Sequence, residues 1–233
     1  LMFCKIFGKN PPDIAISHGS VDQCRVAFGL GTPIISTMDT PYAEAINKLT
    51  VPLSRYIVAS KAIPKKILEM YNVNGEIVRF DGVDEAAWIK DFRPESLYDF
   101  GKPLIVVRQF EEKAVYAQNK MDMFSLAKKL TRLGKIVFLS RYIRRASKDL
   151  IIPKGFVDSA RLVAGADLFI GVGGTITREA ALQGTPAIIV KMFSGQYTNK
   201  FLEKKGFPIF ETEPSEAIRL AEKLVGNKYD VRH

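Results

Sequence analysis

Residues 166–190 read ADLFIGVGGTITREAALQGTPAIIV, and this run constrains the fold more than any other part of the chain. An unbroken apolar run, a Gly pair, a run of helix formers, a Gly-Thr-Pro stop and a second apolar run predict strand, turn, helix and strand. Strands apolar on both faces belong to parallel sheets covered on both sides. The helix N-terminus is then expected at the carboxyl edge of such a sheet. Gly173 and Gly174 let backbone N–H groups approach a ligand closely, Thr175 suits an N-cap, and the helix dipole there favours an anion. Glu179, one turn into the helix, can accept hydrogen bonds from a ribose diol. Plainer roles stand beside these: glycine is needed at any tight strand-to-helix turn, and a helical Glu is commonly solvated. The run lacks the third glycine of a dinucleotide fingerprint, and no Gly-Lys-Ser/Thr of a Walker loop comes after it.

The same alternation extends along the whole chain. Strands are predicted at 13–17, 33–37, 55–60 and 76–80, then at 103–107, 135–140, 167–172, 187–190 and 208–210, with a further short one at 150–153. Helices are predicted from the His18-Gly19-Ser20 turn to Leu30, at 41–50, 64–71 and 119–133, after Asp158, from Thr175, and at 198–205 and 216–225. Short Val/Ile runs alternating with helices predict an α/β fold of parallel sheets with right-handed crossovers. Residues 81–102 mix turn residues and charges and read as a connection. Two Rossmann-like domains are therefore expected, residues 1–100 including the linker 81–100, and residues 101–233. The first domain has few strands and opens on what reads as the tail of a helix, so further sequence before residue 1 is expected.

Net charge is +9 with a pI of about 9.5, which suits anionic ligands such as nucleotides, phosphosugars or an anionic membrane face. The densest basic patch is Arg141, Arg144, Arg145 and Lys148, and most of the remaining charge reads as solvated surface. No aromatic pattern of an RNA-binding sheet is present, which disfavours nucleic acid as a partner. No apolar run approaches the roughly 18 residues of a spanning helix. Two cysteines and two histidines provide neither a disulfide framework nor a zinc cluster, so a reducing cytoplasm is the expected setting.

Two segments together, SHGSVDQCRVAFGLGTPIIS…AEAINKLTVPLSRYIVAS and GVGGTITREAALQGTPAI, resemble the archaeal family DUF354. That family is similar to GT-B glycosyltransferases and to non-hydrolysing UDP-N-acetylglucosamine 2-epimerases. The resemblance covers most of residues 11–210. It implies two Rossmann-like domains facing a cleft and a nucleotide-diphosphate sugar, UDP foremost, as substrate, with no cofactor and no metal. Gly173, Gly174 and Thr175 match the diphosphate-binding residues and Glu179 matches the ribose acid. Val157 lies where backbone groups hold the base, unless it is simply a buried strand-end residue. Arg108 and Arg141 end strands at the same sheet edge and suit phosphate, or else pair with nearby acids such as Glu111 and Glu112.

In the first domain His18, Gly19 and Ser20 resemble the epimerase HGD[ST] loop, with its acid replaced. Glu44 matches a catalytic glutamate, and Asp39 lies one position from another catalytic acid. His18 as a satisfied turn histidine and Asp39 as a helix cap are the structural alternatives. The functions implied are metal-independent glycosyl transfer to an acceptor, epimerase-like chemistry, or nucleotide or glycan binding without turnover.

Overall fold

The computed structural model describes residues 2–71, 73–94, 97–109, 122–140, 147–191 and 196–231. The chain forms two compact units, Leu1–Asp84 and Glu85–His233.

The first unit opens with α1 (Met2–Phe7) and contains a four-stranded parallel sheet of β1 (Ala15–His18), β2 (Ile34–Met38), β3 (Tyr56–Ser60) and β4 (Glu76–Phe80), ordered as in the sequence. The helices α2 (Val21–Gly29), α3 (Glu44–Thr50) and α4 (Lys65–Glu69) connect successive strands. Ala15 and Ile34 pack with Cys24 and Ala27 of α2 into a buried cluster. The opposite strand face carries Ile16 and Val78, both exposed. Register is fixed by side-chain period: Ser17 aligns with Ser36 and Ser36 with Ile57, and all three are buried on one face. A chain of hydroxyls, Ser36 Oγ to Ser54 Oγ at 2.7 Å and Ser54 Oγ to the Thr50 carbonyl at 3.0 Å, satisfies the buried serines.

The second unit begins with α5 (Ala86–Ile89), one helical turn within the stretch expected to be only a connection. It contains β5 (Leu104–Arg108), β6 (Lys135–Leu139), β7 (Leu168–Gly171), β8 (Ala187–Val190) and β9 (Ile209–Thr212). The parallel sheet order is β6-β5-β7-β8-β9, so the chain moves one way from β5 to β6 and the other way to β7. β5, β7 and β8 are buried along almost their whole length, which explains their lack of alternation. The helices are α6 (Met123–Leu130), α7 (Ser159–Gly165), α8 (Thr175–Leu182), α9 (Tyr197–Lys204) and α10 (Ala217–Leu224). Core residues Ile105, Leu126, Leu130, Phe138, Ile170, Ile188 and Ala221 come from the sheet, α6 and α10. Asp122 caps α6 by accepting from the Phe124 and Ser125 amides, and hydrogen bonds from Ser125 hold its carboxyl below the usual range. The short strand expected at 150–153 is a single bridge between Ile151 and Val137.

At the amino edge of this sheet Lys228 donates to the Ala164 carbonyl at 2.9 Å and to Thr185 Oγ1. Burial, followed by the charge of Lys102, lowers its pKa from 10.5 to about 8, against the raising effect of Asp167. Between those two values the unfolded chain binds the proton that the folded chain has released, so stability rises with pH across that window. The urea-unfolding free energy of the wild type, relative to Lys228→Met, is expected to increase from pH 7.5 to pH 9.5. A constant difference between the two proteins would disprove the depressed pKa.

Candidate nucleotide site

β5 is the branch point of the five-stranded sheet. Connections leaving its carboxyl end and that of β7 diverge, and such a switch point opens a crevice beyond the strand ends. Arg108 stands at the end of β5 and Gly171 at the end of β7. A Cβ at Gly171 would lie 3.8 Å from that of Arg108, so the two strand ends are close. Ser140, just after β6, donates its hydroxyl to Gln109 at the same edge. Arg141, Arg144 and Arg145, with Glu111 and Glu112, lie outside the described residues.

The loop from β7 to α8 assigns different tasks to its two glycines. Gly173 has φ +98°, and a Cβ on it would collide with Gln196 Oε1. Gly174 has φ −79° and ψ −169°, an extended conformation open to any residue, and a Cβ on it would meet none of the described residues within 4 Å. Gly174, not Thr175, is the N-cap; Thr175 is the first helical residue, and among the described residues no side chain caps the helix. The first-turn amides of α8 thus lack the side-chain acceptor that an Asp or Ser would have supplied. Both Gly174 and Thr175 are exposed.

Beneath this loop lies a buried polar network. The Gly173 carbonyl accepts from Arg178 Nη1 at 3.1 Å and from Asn199 Nδ2 at 2.7 Å, and the Val172 carbonyl accepts from Gln196 Nε2 at 3.0 Å. Arg178 Nη2 pairs with Glu85 Oε1 at 2.7 Å, with side chains only 8% and 4% exposed.

Glu179 is not a solvated helix carboxylate. It is 5% exposed; Oε1 accepts from Trp88 Nε1 at 3.1 Å and Oε2 from Ser159 Oγ at 2.7 Å. Ser159 opens α7, whose N-cap Asp158 accepts from the Arg161 amide at 3.1 Å, and half-buried Val157 immediately precedes that cap. The structure thereby brings the Val157 segment beside Glu179. Nothing in the local sequence patterns singles out Glu85, Trp88, Ser159, Arg178, Gln196 or Asn199. The one available signal is that Trp88 is the chain's single tryptophan.

In the first unit, His18 at the end of β1 places Nδ1 2.6 Å from Thr37 Oγ1 and Nε2 3.4 Å from Asp39 Oδ1. Asp39 also accepts from the Thr40 hydroxyl at 2.8 Å. It does not cap α3, whose N-cap is Ala43. Gly19 has φ +66°. Ser20 caps α2, accepting from the Gln23 amide at 3.4 Å. Glu44 is the first residue of α3, is exposed, and pairs with Lys48, whose hydrogen bond and charge lower its pKa. His18 and Asp39 therefore form one group, and Glu44 is engaged in a separate surface pair.

The family described as "Protein of unknown function (DUF354)" matches residues 1–233. The chain belongs to the DUF354 family. An uncharacterized protein of Methanocaldococcus jannaschii is 30% identical over 240 residues, covering 94% of this chain and 69% of that one. Among solved structures, the UDP-GlcNAc 2-epimerase of Methanocaldococcus jannaschii in complex with UDP-GlcNAc and UDP is 15% identical with a TM-score of 0.67, covering 98% of this chain and 73% of that one. The glycotransferase of kitacinnamycin is 10% identical with a TM-score of 0.55, covering 95% and 69%. At these identities the likeness is one of fold, and the fold of this DUF354 chain is GT-B-like.

The division between the two glycines is measurable. Gly173→Ala is expected to destabilise the second unit by more than about 1 kcal/mol, because a positive φ and a close buried contact both oppose a side chain. Gly174→Ala should change stability by under about 0.5 kcal/mol. Urea denaturation of the two variants checks this, and equal effects would refute the assignment.

Proposed function

We propose that this protein binds a nucleotide-diphosphate sugar on its second unit and transfers the sugar to an acceptor. The observation that carries the reading is the uncapped N-terminus of α8, with an open Gly174, at the switch point of a parallel sheet. Backbone amides and the helix dipole offer the diphosphate a site that needs no side-chain anion receptor. Arg108, at the neighbouring strand end, supplies a guanidinium suited to phosphate oxygens. Glu179, one turn further, suits the ribose: among the described residues each carboxylate oxygen has one hydrogen-bond partner, and a carboxylate offers about four acceptor sites in all. Val157 lies one residue before Asp158 and two before Ser159, whose hydroxyl holds Glu179, and this supports a place for the base along that segment.

In the transfer step the bond between the anomeric carbon and the diphosphate oxygen breaks as the acceptor oxygen attacks. Negative charge grows on the leaving diphosphate, where oriented amides stabilise it most. The acceptor hydroxyl gives up its proton to a base. His18 suits that role when the acceptor hydroxyl takes the place of Thr37 at Nδ1: that nitrogen receives the proton, while Asp39 beside Nε2 orients the ring and stabilises the imidazolium that forms. An epimerase-like protein of the same fold would instead exchange the proton at sugar C2 with solvent.

Calorimetry with UDP, GDP, CDP and dTDP and their sugars tests the binding. One of them should bind, and Gly174→Val should abolish that binding while circular dichroism shows a folded protein. Glu179→Ala should weaken it roughly tenfold to a hundredfold, since a charged hydrogen bond contributes about 1.5–3 kcal/mol. Emission from Trp88 should change on titration, because its indole N–H is bonded to Glu179. Undiminished affinity in both variants would remove the site from this loop. Consumption of donor with acceptor identifies transfer, whereas solvent deuterium at C2 identifies epimerisation.

A further inference from the structure

We infer that Asn199, Gln196 and Arg178, the last held by Glu85, are positioning residues that aim the amides of Gly173 and Gly174 at the diphosphate. This rests on the nucleotide-diphosphate reading above and deepens it. In a trans peptide the C=O of one residue and the N–H of the next lie in one plane and point in opposite directions. Among the described residues the only cis bond is Lys102–Pro103, so both loop peptides are trans. Gln196 holds the Val172 carbonyl inward, which turns the Gly173 N–H outward. Arg178 and Asn199 together hold the Gly173 carbonyl inward, which turns the Gly174 N–H outward. Two successive amides then face away from the protein, the arrangement that forms an anion nest.

A flip of the Gly173–Gly174 peptide would replace a donor with a carbonyl dipole that repels phosphate. Glycine at φ +98° resists such a flip only weakly by itself, since it tolerates both hands of backbone conformation. Two donors converging on one carbonyl remove that freedom.

Stability does not account for this network. Arg178, Glu85, Gln196 and Asn199 are all buried, and Arg178 Nε has no hydrogen-bond partner among the described residues. Desolvating a guanidinium and a carboxylate costs about as much as their attraction returns, and well-packed apolar residues often stabilise as well or better. The ion pair has a geometric use instead. Glu85 fixes one nitrogen of the Arg178 fork, so that the other is held on the Gly173 carbonyl. Asn199 also donates to Gln196 Oε1 at 2.6 Å, which locks the amide orientations of both side chains.

The test uses near-isosteric neutral substitutions, which leave the net charge near the ligand unchanged. Asn199→Leu is expected to weaken UDP binding at least tenfold, and Gln196→Met severalfold; each leaves a buried group without its partner and lowers the melting temperature by several degrees, so binding is measured where circular dichroism shows the variant folded. Arg178→Lys, which keeps the charge but not the fork, should fall between wild type and Asn199→Leu. These losses should persist at high salt, because they come from lost orientation and not from long-range charge. A second measurement does not depend on the variants folding. In amide spectra of the wild type titrated with UDP, Gly173 and Gly174 should shift among the most of all residues. If the wild type binds UDP, Gly174→Val abolishes binding, and Asn199→Leu and Gln196→Met still bind as wild type, the positioning role fails while the nucleotide reading stands. Unmoved Gly173 and Gly174 amides in a wild type that binds UDP would also overturn it. If the wild type binds none of UDP, GDP, CDP or dTDP, both readings fail together.

Discussion

Parallel pairing on both sides of β5 is the constraint on which the second unit depends. This parallel sheet is buried on both faces, and the connections between parallel strands cross over with one hand. A chain that lays β6 on one side of β5 and β7 on the other must therefore reverse its direction of travel across the sheet. The reversal sends the loops after β5 and β7 apart, and the space between them is not filled by a crossing connection. The apolar strands account for this geometry without any functional residue. Ile105, Val106 and Val107 of β5 and Phe169 and Ile170 of β7 are almost fully buried, so apolar packing holds the branch together. The polar groups at the strand ends inherit positions that the core has already determined.

The edge of this sheet contrasts with its core. Below the strand ends the interior is apolar, with Phe138 and Phe169 among its aliphatic side chains. At the loop it changes within a few residues to Arg178, Glu85, Gln196 and Asn199, each buried and each making a directional bond. Such a network tolerates less variation than an apolar core, because a buried donor or acceptor left without its partner loses its full solvation. The two glycines mark the boundary. Gly173 is half-buried, with Gln196 in the space its Cβ would need, and Gly174 is exposed, with that space open among the described residues.

Most strands and their parallel arrangement are legible in the sequence because burial on both faces writes long apolar runs. Helix ends are less legible. The sequence predicts a helix over residues 41–50, yet α3 starts at Glu44, with Asn47 Nδ2 donating to the Thr40 and Pro41 carbonyls and shaping the entry to it. Thr175 looks like a cap by residue type, whereas Gly174 fills that position, since capping depends on backbone angles that composition does not record. Of the site, the glycines and Glu179 are visible as a local pattern. Their partners are not, because Trp88 lies 91 residues from Glu179 in sequence, and Asn199 lies 26 from Gly173. His18 and Asp39 are each visible, but their pairing depends on the alignment of β1 with β2, which brings His18 opposite Thr37.

The least helical-looking stretch of the chain proves decisive for the candidate site. α5 spans one turn, too short to be stable by itself, and its sequence gives little sign of an amphipathic helix. Yet residues 85 and 88, three apart and so on one side of that turn, bond to consecutive residues of α8: Glu85 to Arg178 and Trp88 to Glu179. Neighbouring positions on a helix point about 100° apart, so Arg178 is directed toward the Gly173 carbonyl while Glu179 is directed toward Ser159. One turn of helix thus supports both the loop proposed to hold the diphosphate and the acid proposed to hold the ribose. A displacement of α5 would loosen both contacts at once, which makes the support of the two subsites a single mechanical unit.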